Sequence, residues 1–310
     1  LHHRLRAAGL PNARFNKIVR SDSWQWAWDG KAENQAPNIS PKTVWPEDQL
    51  RYNGHYPHDE DTIISYSVQG REVLESPKLE KIEEVAVIHH RLTIQPGSNQ
   101  LELIVLDEKP EINGNSATAG FTKVWLQTDE KGLKFRASEN GKLVLQIPAS
   151  KKAIHLNVVL AHDESDSIKN KQPSNQTTNL FDKTKGGPRR WESTHTLKGR
   201  LATSTFQGYV MDSITVPLKN AYNSWMRTSS LAFFPDGRLA VGTLPGDIWI
   251  VSGINDKLDK IIWQRFAAGL YEPLGMKVVD GVLTVITRGR IVKLHDYNND
   301  GEADFYEAFF

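Results

Sequence analysis

The residues best suited to chemistry stand near the end of the chain, in Asp296-Tyr297-Asn298-Asn299-Asp300-Gly301-Glu302-Ala303-Asp304. The spacing is D-x-N-x-D-G-x-x-D, by which a short loop wraps oxygen ligands around a calcium ion. Calcium is a hard cation that takes six to eight oxygens, and alternate residues of a tight loop can aim theirs at one centre. Gly301, sixth in the loop, permits the sharp turn. Asp296, Asn298 and Asp300 offer side-chain oxygens, Glu302 its backbone carbonyl, and Asp304 a carboxylate or a bound water. Glu307 falls twelfth, where a helix–loop–helix calcium hand keeps a bidentate glutamate. The alternative is a metal-free Asn/Asp/Gly turn, since those residues make turns in any case.

The flanks decide which elements hold this loop. Gly289 to His295 is a β-branched run before it, and Asp304 to Phe310 an aromatic run after it. Both are strand-like, so the loop joins two strands and Glu307 lies on the second, at the margin of reach.

Other residue types exclude more than they assign. The 38 basic and 37 acidic residues leave a formal charge of +1, without the basic footprint that nucleic acid requires. No apolar run is long enough for a membrane span. Cysteine is absent, which removes disulfides, thiolate metal sites, a cysteine nucleophile and any C-x-x-C-H haem attachment within these residues. Weak calcium loops fill best where calcium is abundant, which points to the periplasm or the cell exterior. A start at Leu1, with no methionine or signal-type apolar stretch, reads as a processed or excerpted piece.

A length of 310 residues suits two domains. Residues 1–50 form an irregular segment with His2, His3 and the alternating Trp24, Trp26 and Trp28. The tryptophans suit either a sugar-stacking platform or, the plainer reading, a cover for a neighbouring sheet. Residues 51–162 carry short strand signals one after another, the pattern of an antiparallel β-sandwich whose core includes Ile64, Leu103, Val105, Trp125 and Leu156. His55 and His58 fall in a loop without a nameable third ligand, and His89 and His90, as strand neighbours, face opposite ways. Residues 163–190 are a polar linker, almost without apolar anchors through Thr178.

Strands resume over 191–310, in Thr196 to Leu201 and Tyr209 to Pro217, and then in two units that look like copies. The Asp-Gly turns at Gly237 and Gly281 are 44 residues apart, and Gly246 and Gly289 are 43 apart. Four strands at that period match a β-propeller blade. The expected fold is therefore all-β: a sandwich followed by the first blades, about two, of a propeller. The calcium-type loop 296–304 would replace the 253–260 connector and brace it.

Gly246 to Ile254, Trp263 to Leu270, Pro273 to Gly281 and Leu294 to Glu307 resemble a family of large secreted bacterial proteins, described as membrane-bound dehydrogenases or haem-binding proteins. Tyr52 to Pro77 resembles the region before the propeller in that family. The resemblance implies a propeller akin to glucose/sorbosone dehydrogenases, followed by a cytochrome c domain. It implies haem c or a quinone only outside this chain, because no haem-attachment motif and no histidine matching a catalytic base is found here. His295 reads as a strand-end residue. Expected functions are a segment of an exported sugar- or alcohol-oxidising redox protein, a non-catalytic calcium-braced module for a glycan or protein, or a propeller-type polysaccharide lyase or hydrolase. Two blades cannot close a ring, so the rest of the propeller is the expected partner and Phe310 reads as a break.

Overall fold

The computed structural model describes residues 24–34, 46–168, 171, 173–203 and 209–309. His2, His3 and Phe310 lie outside them. The chain is all-β, with only two short 3₁₀ turns, Trp28–Gly30 and Leu180–Lys183, among the described residues. No helix there is long and apolar enough to cross a membrane. The chain divides into two compact units. One holds Asp61–Asp182 and the described residues up to Tyr52; the other holds Asn53–Glu60 and the chain from Lys183 onward.

The strands up to residue 162 are β1 (Gln25–Trp26), β2 (Leu50–His58), β3 (Asp61–Val68), β4 (Arg71–Ile82), β5 (Val85–Ile94) and β6 (Leu101–Leu106). They continue as β7 (Glu111–Asn113), β8 (Ser116–Ala119), β9 (Thr122–Gln127), β10 (Lys134–Ala137), β11 (Leu143–Ile147) and β12 (Ile154–His162). In the first unit one sheet runs β3-β4-β5-β12-β9-β8-β7 and the other β1-β6-β11-β10. Gln69 and Gly70 both take positive φ, 47° and 79°, as a two-residue type I′ hairpin requires, and Val68 pairs with Arg71 across them. Val73, Leu92, Ile94 and Leu156 meet Leu103, Val105, Leu145 and Ile147 in one apolar core. Of the expected core, Leu103, Val105 and Leu156 are buried, Ile64 packs on the margin, and Trp125 joins a separate cluster with Val85, Val159 and Ile168.

That separate cluster corrects the linker expectation. Residues 163–182 belong to the first unit. Asp163 accepts from the N–H groups of Ser167 and Ile168 at 3.1 and 2.9 Å, and the side chains of Ile168 and Leu180 are fully buried. Gln127 Nε2 donates to the Pro173 and Ser174 carbonyls, and the Leu180 N–H to Thr93 Oγ1. The segment is mostly polar and lies along a polar sheet face bearing Ser76, His89, Arg91, Thr93 and Asn157, to which it bonds at Thr93, Gln127 and Glu80. β5 is consequently buried on both faces.

The second unit adds β13 (Thr194–Leu197), β14 (Thr228–Phe233), β15 (Leu239–Thr243), β16 (Ile248–Ser252) and β17 (Ile261–Ala267). After these come β18 (Gly275–Val279), β19 (Val282–Ile286), β20 (Ile291–His295) and β21 (Phe305–Ala308). Strands β14 to β17 and β18 to β21 are two antiparallel four-stranded meanders, as the repeat predicts. They do not close into a ring. Upstream strands extend the outer edge of each: β13 pairs with β17, and Gly54 and His55 of β2 pair with β21. His55 and His58 therefore lie in a strand, and His55 stacks on Tyr306. Tyr209 to Pro217 forms no continuous strand; Tyr209 and Ser213 are isolated bridge residues, Ser213 with Arg200, and Tyr209, Val210 and Met211 are exposed.

Candidate calcium-type loop

Loop 296–304 connects β20 to β21, the place equivalent to 253–260 between β16 and β17. Asn299 and Gly301 take positive φ, 59° and 88°, which folds the chain back on itself. Each acidic side chain then caps backbone N–H groups. Asp296 accepts from Asp300 and Gly301 at 3.2 and 3.0 Å, and Asn298 Oδ1 from Asp300 at 3.0 Å. Asp300 Oδ1 accepts from Glu302 at 2.9 Å, while Asp304 Oδ2 accepts from Tyr297 at 2.7 Å and Asn298 at 3.3 Å. Burial pushes the Asp296 carboxyl up, and the neighbouring charges of Asp300 and Asp304 push the same way.

The loop also grips residues 186–191. Gly187 N–H donates to Asp304 Oδ1 at 3.2 Å, and Asn298 Nδ2 to the Gly187 carbonyl at 2.9 Å. The Glu302 carboxylate, 3% exposed, accepts from the backbone N–H groups of Arg190 at 3.0 Å and Trp191 at 2.7 Å. Its expected role as a carbonyl ligand therefore leaves out what its side chain does. From the other side Gln264 Nε2 donates to the Gly301 carbonyl at 3.0 Å, and the Ala303 N–H to the Phe266 carbonyl at 2.8 Å.

Oxygen donors and loop turns fit a hard cation in type. Gathering is the other half of the test: no group of three or more His, Asp or Glu side chains among the described residues is placed to hold a metal ion. Glu307 is corrected as a member. It sits opposite Lys293 in the β20–β21 register, and its carboxylate lies 2.7 Å from His295 Nε2 and 3.4 Å from Lys293 Nζ. Strand pairing gives it Lys293 and His295 as cross-strand partners. His295 ends β20, as expected of it.

Two groupings escaped the sequence reading. In the first unit the buried Glu75 carboxylate accepts from Trp24 Nε1 at 2.9 Å and Tyr66 OH at 2.8 Å, and lies 2.8 Å from His90 Nδ1. Trp24 stacks on His90, so this tryptophan covers the sheet. His89 faces the other way, 2.7 Å from Glu80, confirming that the histidine pair is split across the sheet. In the second unit Asp247 pairs with Arg265 at 2.5 Å, and Arg265 lies over the Trp191 and Tyr222 rings. Nothing local in the sequence marks either group, because strand pairing and residues far along the chain, Trp24 in one and Trp191 and Tyr222 in the other, bring each together.

Residues 3–75 match a family described as a domain of unknown function, DUF6797. No curated protein matches the chain. The family match takes in Trp24, Tyr66 and Glu75 of the buried network, and it stops well before the repeated meanders and the acidic loop. Its likeness covers less than half of the chain and names no activity.

Proposed function

We propose that the second unit is a two-blade portion of an exported, calcium-braced β-propeller, acting as a binding or scaffold module whose open blade face takes a further blade. One observation carries the reading. β15 and β16 of the first blade are buried on both faces, whereas β19 and β20 of the second alternate between buried and open. Ala240, Ile248 and Ile250 of the first blade pack against Leu283, Val285, Val292 and Leu294 of the second. At the repeat spacing, Ala240 and Gly242 correspond to Thr284 and Ile286. Those residues belong to the open face, where the repeat calls for a third blade's apolar side.

In this reading Asp296, Asn298, Asp300 and Asp304 would hold the ion, which would supply positive charge to a connector rich in acid and poor in apolar residues. This chain's residues do the rest: Glu302 and Asn298 fasten the loop to residues 187–191, and Gln264 fastens it to β17. The oxidoreductase reading, with haem c or a quinone beyond this chain, draws support from the resemblance alone. Titration calorimetry with calcium tests the brace, alongside thermal unfolding with calcium and with chelator. Heat of binding and a raised unfolding temperature that are both lost in Asp300→Asn are expected. No calcium uptake by the intact protein would sink the metal.

A further inference from the structure

We infer that the blade end carrying Trp225 and Tyr271 binds acidic polysaccharide, specifically chains of uronate sugars. One backbone hydrogen bond recurs there in both blades, while the ring and the arginine take different repeat positions in each. The Arg227 carbonyl accepts from the Leu244 N–H at 2.8 Å in the first blade, and the Tyr271 carbonyl from the Arg288 N–H at 2.9 Å in the second. Donors and acceptors are each 44 residues apart, so this is one bond repeated, and both segments lie at the same end of their blades. Ser229 and Ser230 hydroxyls both donate to the Pro273 carbonyl, which sets the entry of β14 beside the connector that carries Tyr271.

Each blade displays a large ring there with an arginine against it. Trp225 is 64% exposed and Tyr271 60% exposed. The Arg227 guanidinium lies 5.5 Å from the Trp225 ring centre, and that of Arg288 5.5 Å from the Tyr271 ring centre. Arg288 also donates to Tyr271 OH at 3.2 Å and pairs with Glu272 at 3.4 Å. Arg290 lies in the same turn, its carbonyl accepting from the N–H and hydroxyl of Thr287. Arg227, Arg288 and Arg290 thus stand at this end with two acids, Glu272, which pairs with Arg288, and the buried Asp247, which Ser224 and Arg265 hold.

An exposed indole or phenol face suits the apolar C–H face of a pyranose ring, and holding it exposed costs little because two χ angles fix it. A guanidinium beside the ring offers two parallel N–H donors to a carboxylate, the geometry of a uronate substituent. Two ring-and-arginine pairs side by side therefore match a polymer in which sugar rings and carboxylates recur together. Single-stranded nucleic acid shares stacking and negative charge, but it calls for a longer basic track than three arginines in a chain of formal charge +1. This inference uses neither the acidic loop nor ring closure, so it stands or falls apart from them.

Affinity electrophoresis of the full chain through gels containing polygalacturonate, with dextran and a single-stranded oligonucleotide as comparison arms, tests it. Retardation by polygalacturonate alone is expected, weakening as salt is raised. Trp225→Ala and Tyr271→Ala should each weaken it about tenfold, the size of one lost stacking contact. Arg227→Gln should weaken it and flatten the salt dependence. Tyr209→Ala, which removes an exposed ring elsewhere, should change nothing. Because the substituted residues are exposed, an unchanged unfolding transition should accompany each variant. Equal retardation by dextran, preferential retention of the oligonucleotide, or unaltered binding by Trp225→Ala and Tyr271→Ala would overturn the assignment.

Discussion

Two acids five positions apart, Glu302 and Glu307, have opposite fates, and the difference is burial. Glu302 caps two backbone N–H groups at 3.0 and 2.7 Å while almost fully buried. Glu307 meets Lys293 and His295 with its side chain about a third exposed. Removing a buried acceptor strands its donors, whereas a half-exposed ion pair contributes little. Glu302→Ala should therefore cost about 2–4 kcal/mol in denaturant unfolding of the second unit, and Glu307→Ala about 0–1 kcal/mol. Equal losses would show that the clasp on residues 190–191 is not what Glu302 contributes. In the first unit Arg136 bridges Glu33 at 2.6 Å and Glu102 at 2.5 Å. Its hydrogen bonds hold the Glu33 carboxyl down to about 2, from an ordinary 4.5. Burial pushes Glu102 up, but Arg136, Gln146 and the Ala32 N–H outweigh it and leave it lowered. Between those limits the unfolded chain binds more protons, so this stability is present above pH 4.5 and drains away as pH falls toward 2. Arg136→Met should remove about 1–2 kcal/mol at neutral pH, after allowing for partial exposure, and flatten the acid limb of the stability curve. A limb as steep as the parent's would refute the bridge. The sequence offered no sign of this triad, since Glu33, Glu102 and Arg136 meet only once three separate segments are aligned.

At the scale of elements, turn chemistry was the most legible feature and cover the least. Gln69-Gly70 and Asp280-Gly281 adopt the paired positive φ angles that a two-residue hairpin needs, so those strand boundaries could be read from dipeptides. β10, the β7–β8 hairpin and the strand at His55 went unread. They are short or polar, and they form because a neighbour supplies the ladder. The 163–182 segment misled in the same manner: it lies along a polar sheet face, which composition cannot display. Gly246 offers an element-scale test. Its φ is +113°, and an added Cβ would stand 1.9 Å from the Leu270 carbonyl oxygen, the group that crosses from the end of the first blade. Gly237 also has positive φ, +86°, but open space around it. Gly246→Ala should cost about 3 kcal/mol or more and broaden the unfolding transition, against about 1 kcal/mol for Gly237→Ala. Matching losses would mean that backbone strain alone, and not the close approach, keeps Gly246 a glycine.

For the whole molecule, the period of 44 residues was enough to foretell two four-stranded units, and packing explains why they look unfinished. The first blade is enclosed between the second blade and a cluster in which Ile214, Val216, Tyr222 and Met226 cover Trp249 and Trp263. The second blade has one such partner. On its other side Val279 and Ile286 stand 44% and 52% exposed, and inner strands β14 and β18 are sheet edges with unpaired backbone groups. Exposed apolar side chains on an open, otherwise mixed face, next to open edges, are where chains associate. The protein should therefore self-associate reversibly, with an apparent mass that rises with concentration in sedimentation experiments. Replacing both Val279 and Ile286 by lysine should return it to monomer. Because both side chains are already half in water, the double variant should lose no more than about 0.5–1 kcal/mol of unfolding free energy. That separates loss of association from loss of fold. A parent protein that stays monomeric across the accessible concentrations would contradict the open-face account. Association that the lysines leave intact would relocate the contact to another surface, such as Tyr209 to Met211.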